Sequence, residues 1–146
     1  IMGNYPYVDS GAMAAGRLPV NDRLFQLQAK LIREAAGNGP CVIVGRCADD
    51  ILRGRENVFS VFLYADLTFR KERAVKEYGV QPESAAGWGA KQDKQRAGYY
   101  HFYTDEKWGE TGNYHLCVDS SCFGISGAEE LIARAVLLRE NRTGQE

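Results

Sequence analysis

At 146 residues the chain has the length of one domain, enough to bury a core of its own. Its 18 Lys and Arg against 19 Asp and Glu leave a net charge of −1, which gives no global attraction to nucleic acid or to an anionic membrane. No apolar run is long enough to span a bilayer, no signal-peptide pattern opens the chain, and four cysteines are too few for a secreted disulfide scaffold, so a cytoplasmic location is expected.

The chain opens at Ile1 in mid-pattern, which is not expected to be a native start. Residues 1–19 read as loop, punctuated by Gly3-Asn4, Pro6, Gly11, Gly16 and Pro19. Asn21 is a credible N-cap, and Leu24, Leu27, Leu31 and Ala35 then recur at helical spacing until Gly37-Asn38-Gly39-Pro40. Cys41–Gly45 carries no charge and is expected to be a short strand buried on both faces, as in a parallel sheet. Gly45-Arg46 ends it, and a short helix over 47–53 follows.

Asn57–Ala65 is a second charge-free run with strand character. Asp66 can cap a helix over 67–78 that stops at Gly79, with Arg70 and Arg73 on one face. Residues 80–112 read as irregular, with five glycines among charged and aromatic residues. Tyr114–Asp119 is a third strand, and Ser126-Gly127-Ala128-Glu129 is a capping box opening the last helix. Alternating strands and helices with uncharged strands predict an α/β fold with a parallel sheet.

An arginine at the carboxyl end of such a strand stands where open α/β sheets bind ligands, and its fork suits a carboxylate or a phosphate. A plain salt bridge at a strand end is the competing account of Arg46. The 91–108 segment sets Lys91, Lys94 and Arg96 among Tyr99, Tyr100, Phe102, Tyr103 and Trp108. Such a mixture suits stacking on single-stranded nucleic acid, a satellite core under a long excursion, or a mobile cover that closes on phosphates. The near-neutral charge argues against nucleic acid. Cys41…Cys47 and Cys117…Cys122 lack zinc-site spacing, and Cys41 and Cys117 read as small core residues. His101 and His115 lack the context of a triad. No G-x-x-x-x-G-K-[ST] motif occurs.

CVIVGRCADDIL, VFLYADLTFRKERA, DKQRAGYY and NYHLCVDSS, in that order, resemble the cytidylate kinase-like branch of the P-loop nucleoside monophosphate kinases. The resemblance runs from about residue 20 to 138 and implies a three-layer sandwich with a mostly parallel sheet, apparently lacking its N-terminal βα unit. It implies a single domain over 1–146 with a helical lid at about 80–112. By the same resemblance, Arg46, Gln28 and Asp93 bind the acceptor nucleotide, while Arg96, Arg70 and Arg73 act on the transferred group. Asp9 and Ser10 resemble a nucleotide-binding turn. The family's aspartate after Gly-Arg is Cys47 here, with Asp49 or Asp50 as a substitute. The implied reaction moves the ATP γ-phosphoryl group to CMP or a related monophosphate with Mg²⁺; partners are small nucleotides, with neither nucleic acid nor membrane. A non-catalytic nucleotide-sensing or protein-binding relative is the alternative.

Overall fold

Helix α1 (Val20–Asn38) starts directly after Pro19, whose side chain makes no cap, so the expected Asn21 cap is not used. The computed structural model describes residues 19–143. Ala29 and Ile32 face inward, and Ile32 joins Ala48 of the short helix α2 (Ala48–Ile51) and Leu52 in the central apolar cluster. Ala36, Ile43, Ile51 and Val58 pack around these three.

Strand β1 (Val61–Tyr64) pairs in parallel with β2 (Leu116–Asp119), from Val61 opposite Leu116 to Tyr64 opposite Asp119. A parallel pair needs a long crossover, supplied by α3 (Leu67–Tyr78), a 3-10 turn at Pro82–Ser84 and α4 (Ala85–Thr104). Asp66 caps α3 by accepting a hydrogen bond from the Phe69 amide at 2.8 Å, and Gly79 closes it in the left-handed region at φ 65°. Helix α5 (Ser120–Thr143) follows β2 directly and is broken at Gly124 (φ 68°, ψ 175°), so the expected start at Ser126 falls just beyond the break. Among the described residues no helix is long and apolar enough to cross a membrane.

Two expectations are corrected. Cys41–Gly45 is not a strand: Val42 and Val44 are 94% and 88% exposed and Cys41 is exposed too, while Ile43 alone packs on the core. Local β-propensity cannot make a strand without a neighbouring ladder, and neither described strand pairs with this stretch. The second correction concerns 80–112, most of which is the helix α4 despite Gly87, Gly89 and Gly98. Packing of α4 on α3 outweighs the roughly 1 kcal/mol that each interior glycine costs. What the described residues show is therefore a mixed, mostly helical fold around a small two-stranded parallel sheet, not a full three-layer sandwich.

Candidate functional site

Gly45, Arg46 and Cys47 are three successive residues in the left-handed region, at φ 70°, 57° and 56°. Glycine adopts this readily; arginine and cysteine do so at a cost on the order of 1 kcal/mol or more each. The turn places Arg46 on the wall of a small cavity of about 90 Å³ with Phe25 and Gln28 of α1 and Tyr99 and Tyr103 of α4. Its guanidinium carbon lies 5.9 Å from the centroid of the Tyr99 ring, within reach of a cation–π attraction. Phe25 stacks on Tyr103 at 4.0 Å with nearly parallel planes, and Tyr99 lies 4.8 Å from Tyr103. The Tyr99 hydroxyl donates to Gln28 Oε1 at 3.2 Å. Burial, with Asp22 nearby, raises the Tyr103 hydroxyl above its ordinary pKa, so it stays protonated. Flat aromatic faces, one cation and one amide in a shared cavity suit a planar heterocycle carrying an anionic group.

A second cluster joins α3 to α4. Asp93 meets Arg70 Nη2 with both oxygens at 2.8 Å, and Arg96 Nη1 lies 3.6 Å from its Oδ1. Gly89 lies beside this cluster, where a Cβ would come into ordinary contact with Arg70 Nη2 at 3.6 Å. Arg73 lies half-buried on α3, three residues after Arg70 and so on the same side. Arg96 precedes Tyr99 by three residues, which separates the two clusters by about 4.5 Å of rise along α4. One helix thus carries both groups.

The remaining candidates fall elsewhere. Asp49 accepts a hydrogen bond from the Tyr100 hydroxyl at 2.6 Å and lines a different cavity from Arg46, so it does not replace the family's aspartate beside that arginine. Tyr100 is 4% exposed, and burial and then the Asp49 carboxylate push its hydroxyl far up. Cys47 is 3% exposed, and burial, reinforced by Asp49 and Asp50, raises its thiol to about 11. It is a neutral, packed group at neutral pH, and unlike a carboxylate it is a poor acceptor. Asp9 and Ser10 lie outside the described residues. Cys41, expected in the core, is exposed, and Cys117 is half-buried in β2. Among the described residues no group of three or more His, Cys, Asp or Glu side chains is placed to hold a metal ion.

Sequence reasoning reads Tyr99 and Tyr103 only as part of the aromatic 91–108 segment, with a satellite core among its accounts, and does not single out Phe25 at all. The signal of the two tyrosines was present in the helical spacing of Arg96, Tyr99 and Tyr103 at i, i+3 and i+7, which becomes visible once 85–104 is read as helix.

The family model described as the cytidylate kinase-like family matches residues 2–122. The crystal structure of an uncharacterized protein from Eubacterium ventriosum ATCC 27560 is similar, with 31% identity and a TM-score of 0.75 over 82% of this chain and 67% of that one. No curated protein matches the chain.

Proposed function

The chain belongs to the cytidylate kinase-like family, and on that premise we propose that it forms the acceptor side of a phosphotransferase moving the ATP γ-phosphoryl group to CMP or a related nucleoside monophosphate. The observation that carries this reading is Arg46 in an aromatic cavity, one turn of α4 from the Asp93 cluster. In this account the two-stranded parallel sheet is part of a P-loop-type layered sheet, and 1–146 belongs to one domain in which residues 80–112 close over the nucleotide.

Tyr99, Tyr103 and Phe25 offer the base their faces, and the Gln28 amide offers its edge donors and acceptors. Arg46 grips the acceptor phosphate with two parallel N–H···O bonds, a geometry that lysine cannot reproduce. Arg96, with Arg70 and Arg73, faces the oxygens on which charge is redistributed during transfer. Asp93 orients the first two guanidiniums and thereby limits the reorganisation needed at the reaction step. Little covalent chemistry is asked of the protein; positioning and charge stabilisation supply the acceleration. A magnesium-bound nucleotide would bring its own charge neutralisation, and no step is assigned to a protein-held metal.

A second reading is favoured by Cys47. A neutral thiol where the kinases keep a carboxylate suits a relative that binds nucleotide without turning it over. Two measurements on the full-length protein separate the readings: CDP formation from CMP and MgATP, and CMP binding by calorimetry. Turnover supports the kinase. Binding with no turnover of any nucleoside monophosphate supports the sensor, and loss of both refutes the nucleotide site.

A further inference from the structure

Two of the segments that bound the Arg46 cavity are the turn that opens α2 and the part of α4 that carries Tyr99 and Tyr103. Across the gap between them the Arg46 guanidinium carbon stands 5.9 Å from the Tyr99 ring centroid, an attraction that varies gently with distance and fixes no spacing by itself. A second bridge joins the same two segments, one residue further along α4 and three residues beyond Arg46. There the Tyr100 hydroxyl donates to Asp49 Oδ2 at 2.6 Å, a short bond to a carboxylate made by a ring that is 4% exposed. A third bridge, Arg53 to Glu106 at 3.3 Å, lies largely in solvent, where an ion pair holds little.

The turn does not swing independently of Asp49. The Ala48 amide donates to the Gly45 carbonyl at 3.1 Å, and those of Asp50 and Ile51 donate to the Cys47 carbonyl at 3.1 and 2.9 Å. Arg46 and Asp49 therefore ride on one hydrogen-bonded unit, as Tyr99 and Tyr100 ride on one helix. Neither Asp49 nor Tyr100 lines the Arg46 cavity. We infer that Tyr100 and Asp49 are positioning residues for the acceptor site: their bond holds Arg46 at its working distance from the aromatic faces that take the base. This rests on the reading of the Arg46 cavity as the nucleotide site, and it gives Asp49 a part other than direct contact with the nucleotide. Burial, and then the Asp49 carboxylate, push the Tyr100 hydroxyl far up, so it remains a donor wherever binding is measured. A site held at a fixed width loses less freedom when ligand enters, and that difference is read as affinity.

The test compares the full chain with Tyr100→Phe, Asp49→Asn and, as a destabilised control, Val118→Ala at a buried position of β2. Two readouts are taken at a temperature where every variant is folded. The first needs no ligand: NOEs between the Tyr99 ring and the Arg46 side chain in the free protein. They should weaken or vanish in Tyr100→Phe and hold at wild-type strength in Val118→Ala. Asp49→Asn, whose amide oxygen still accepts from the phenol, should keep part of them. The second readout is CMP affinity by calorimetry, which should fall at least about threefold in Tyr100→Phe, less in Asp49→Asn, and not in Val118→Ala. Wild-type NOEs or wild-type affinity in Tyr100→Phe, or equal losses in Tyr100→Phe and Val118→Ala, overturn the inference. A wild type that binds no nucleoside monophosphate sinks the nucleotide reading of the cavity instead. The NOEs of the free protein then decide alone: their loss in Tyr100→Phe but not in Val118→Ala supports the bond as the spacer, and their persistence refutes it.

Discussion

Replacing Tyr100 with phenylalanine should be among the more damaging conservative changes to this fold. The ring is 4% exposed and its hydroxyl reaches Asp49 Oδ2 at 2.6 Å, tying the long helix α4 to the short helix α2. Phenylalanine keeps the ring's volume, so no cavity opens and the change removes only what the hydroxyl does, its bond to Asp49 and its contact with the Tyr114 hydroxyl. A bond to a charged acceptor contributes about 1.5–3 kcal/mol, and here its loss strands a half-buried carboxylate. For a domain of this size that corresponds to a fall in Tm of roughly 4–10 °C. Urea unfolding followed by circular dichroism reads it directly: the midpoint should fall while the slope m stays fixed. A double-mutant cycle with Asp49→Asn should then show a coupling of about 0.5–3 kcal/mol between the two side chains. Strict additivity, or a loss below about 0.5 kcal/mol for Tyr100→Phe alone, would refute this account.

Arg46→Gly removes the proposed phosphate grip and also relieves a left-handed residue, so stability should hold within about 1 kcal/mol while kcat/KM for CMP drops by roughly 10²–10³; equal loss of stability and activity would count against the assigned role. Gly109→Ala should destabilise by about 1–3 kcal/mol, because φ is +77° and the new Cβ would lie 3.0 Å from Phe62 Cζ, in a ring cluster shared with Trp108 and Tyr114; an unchanged urea midpoint contradicts this. Burial, and secondarily Arg139, lowers the pKa of His115 below its ordinary value, and the neutral ring accepts the Ser60 amide. Its contribution is therefore present above about pH 6.5 and lost as pH falls through the lowered folded value. Urea midpoints at pH 7.5 and 5.5 should differ more for wild type than for His115→Gln, and identical differences dispose of the idea.

Local signals were legible where local chemistry decides. Helix α3 occupies the predicted 67–78, because Asp66 and Gly79 fix its ends within a few residues of sequence. Strand β2 and the core of β1 were visible as short, mostly apolar runs. Cys41–Gly45 misled because strand formation is settled by a neighbour, and exposure of 94% at Val42 shows none among the described residues. Helix α4 was hidden by its glycines, and with it the register that gathers Tyr99 and Tyr103 beside Arg46. Asp93 with Arg96 could be paired from an i, i+3 spacing, but the reach of Arg70 across from α3 is tertiary and had no local trace. The displacement of Asp49 toward Tyr100 belongs to the same class.

Two guanidiniums share the single carboxylate of Asp93, and the sharing is unequal: Arg70 sits at 2.8 Å and Arg96 at 3.6 Å. The close pair pins one helix to the other, whereas the distant partner is held loosely and keeps a surplus of positive potential. On the proposed reading, an arriving phosphate would recruit Arg96 without unfastening α3 from α4. Under that proposal, mechanical support and ligand capture would be divided between two arginines, and a substrate would come and go while the scaffold beneath it stays clasped.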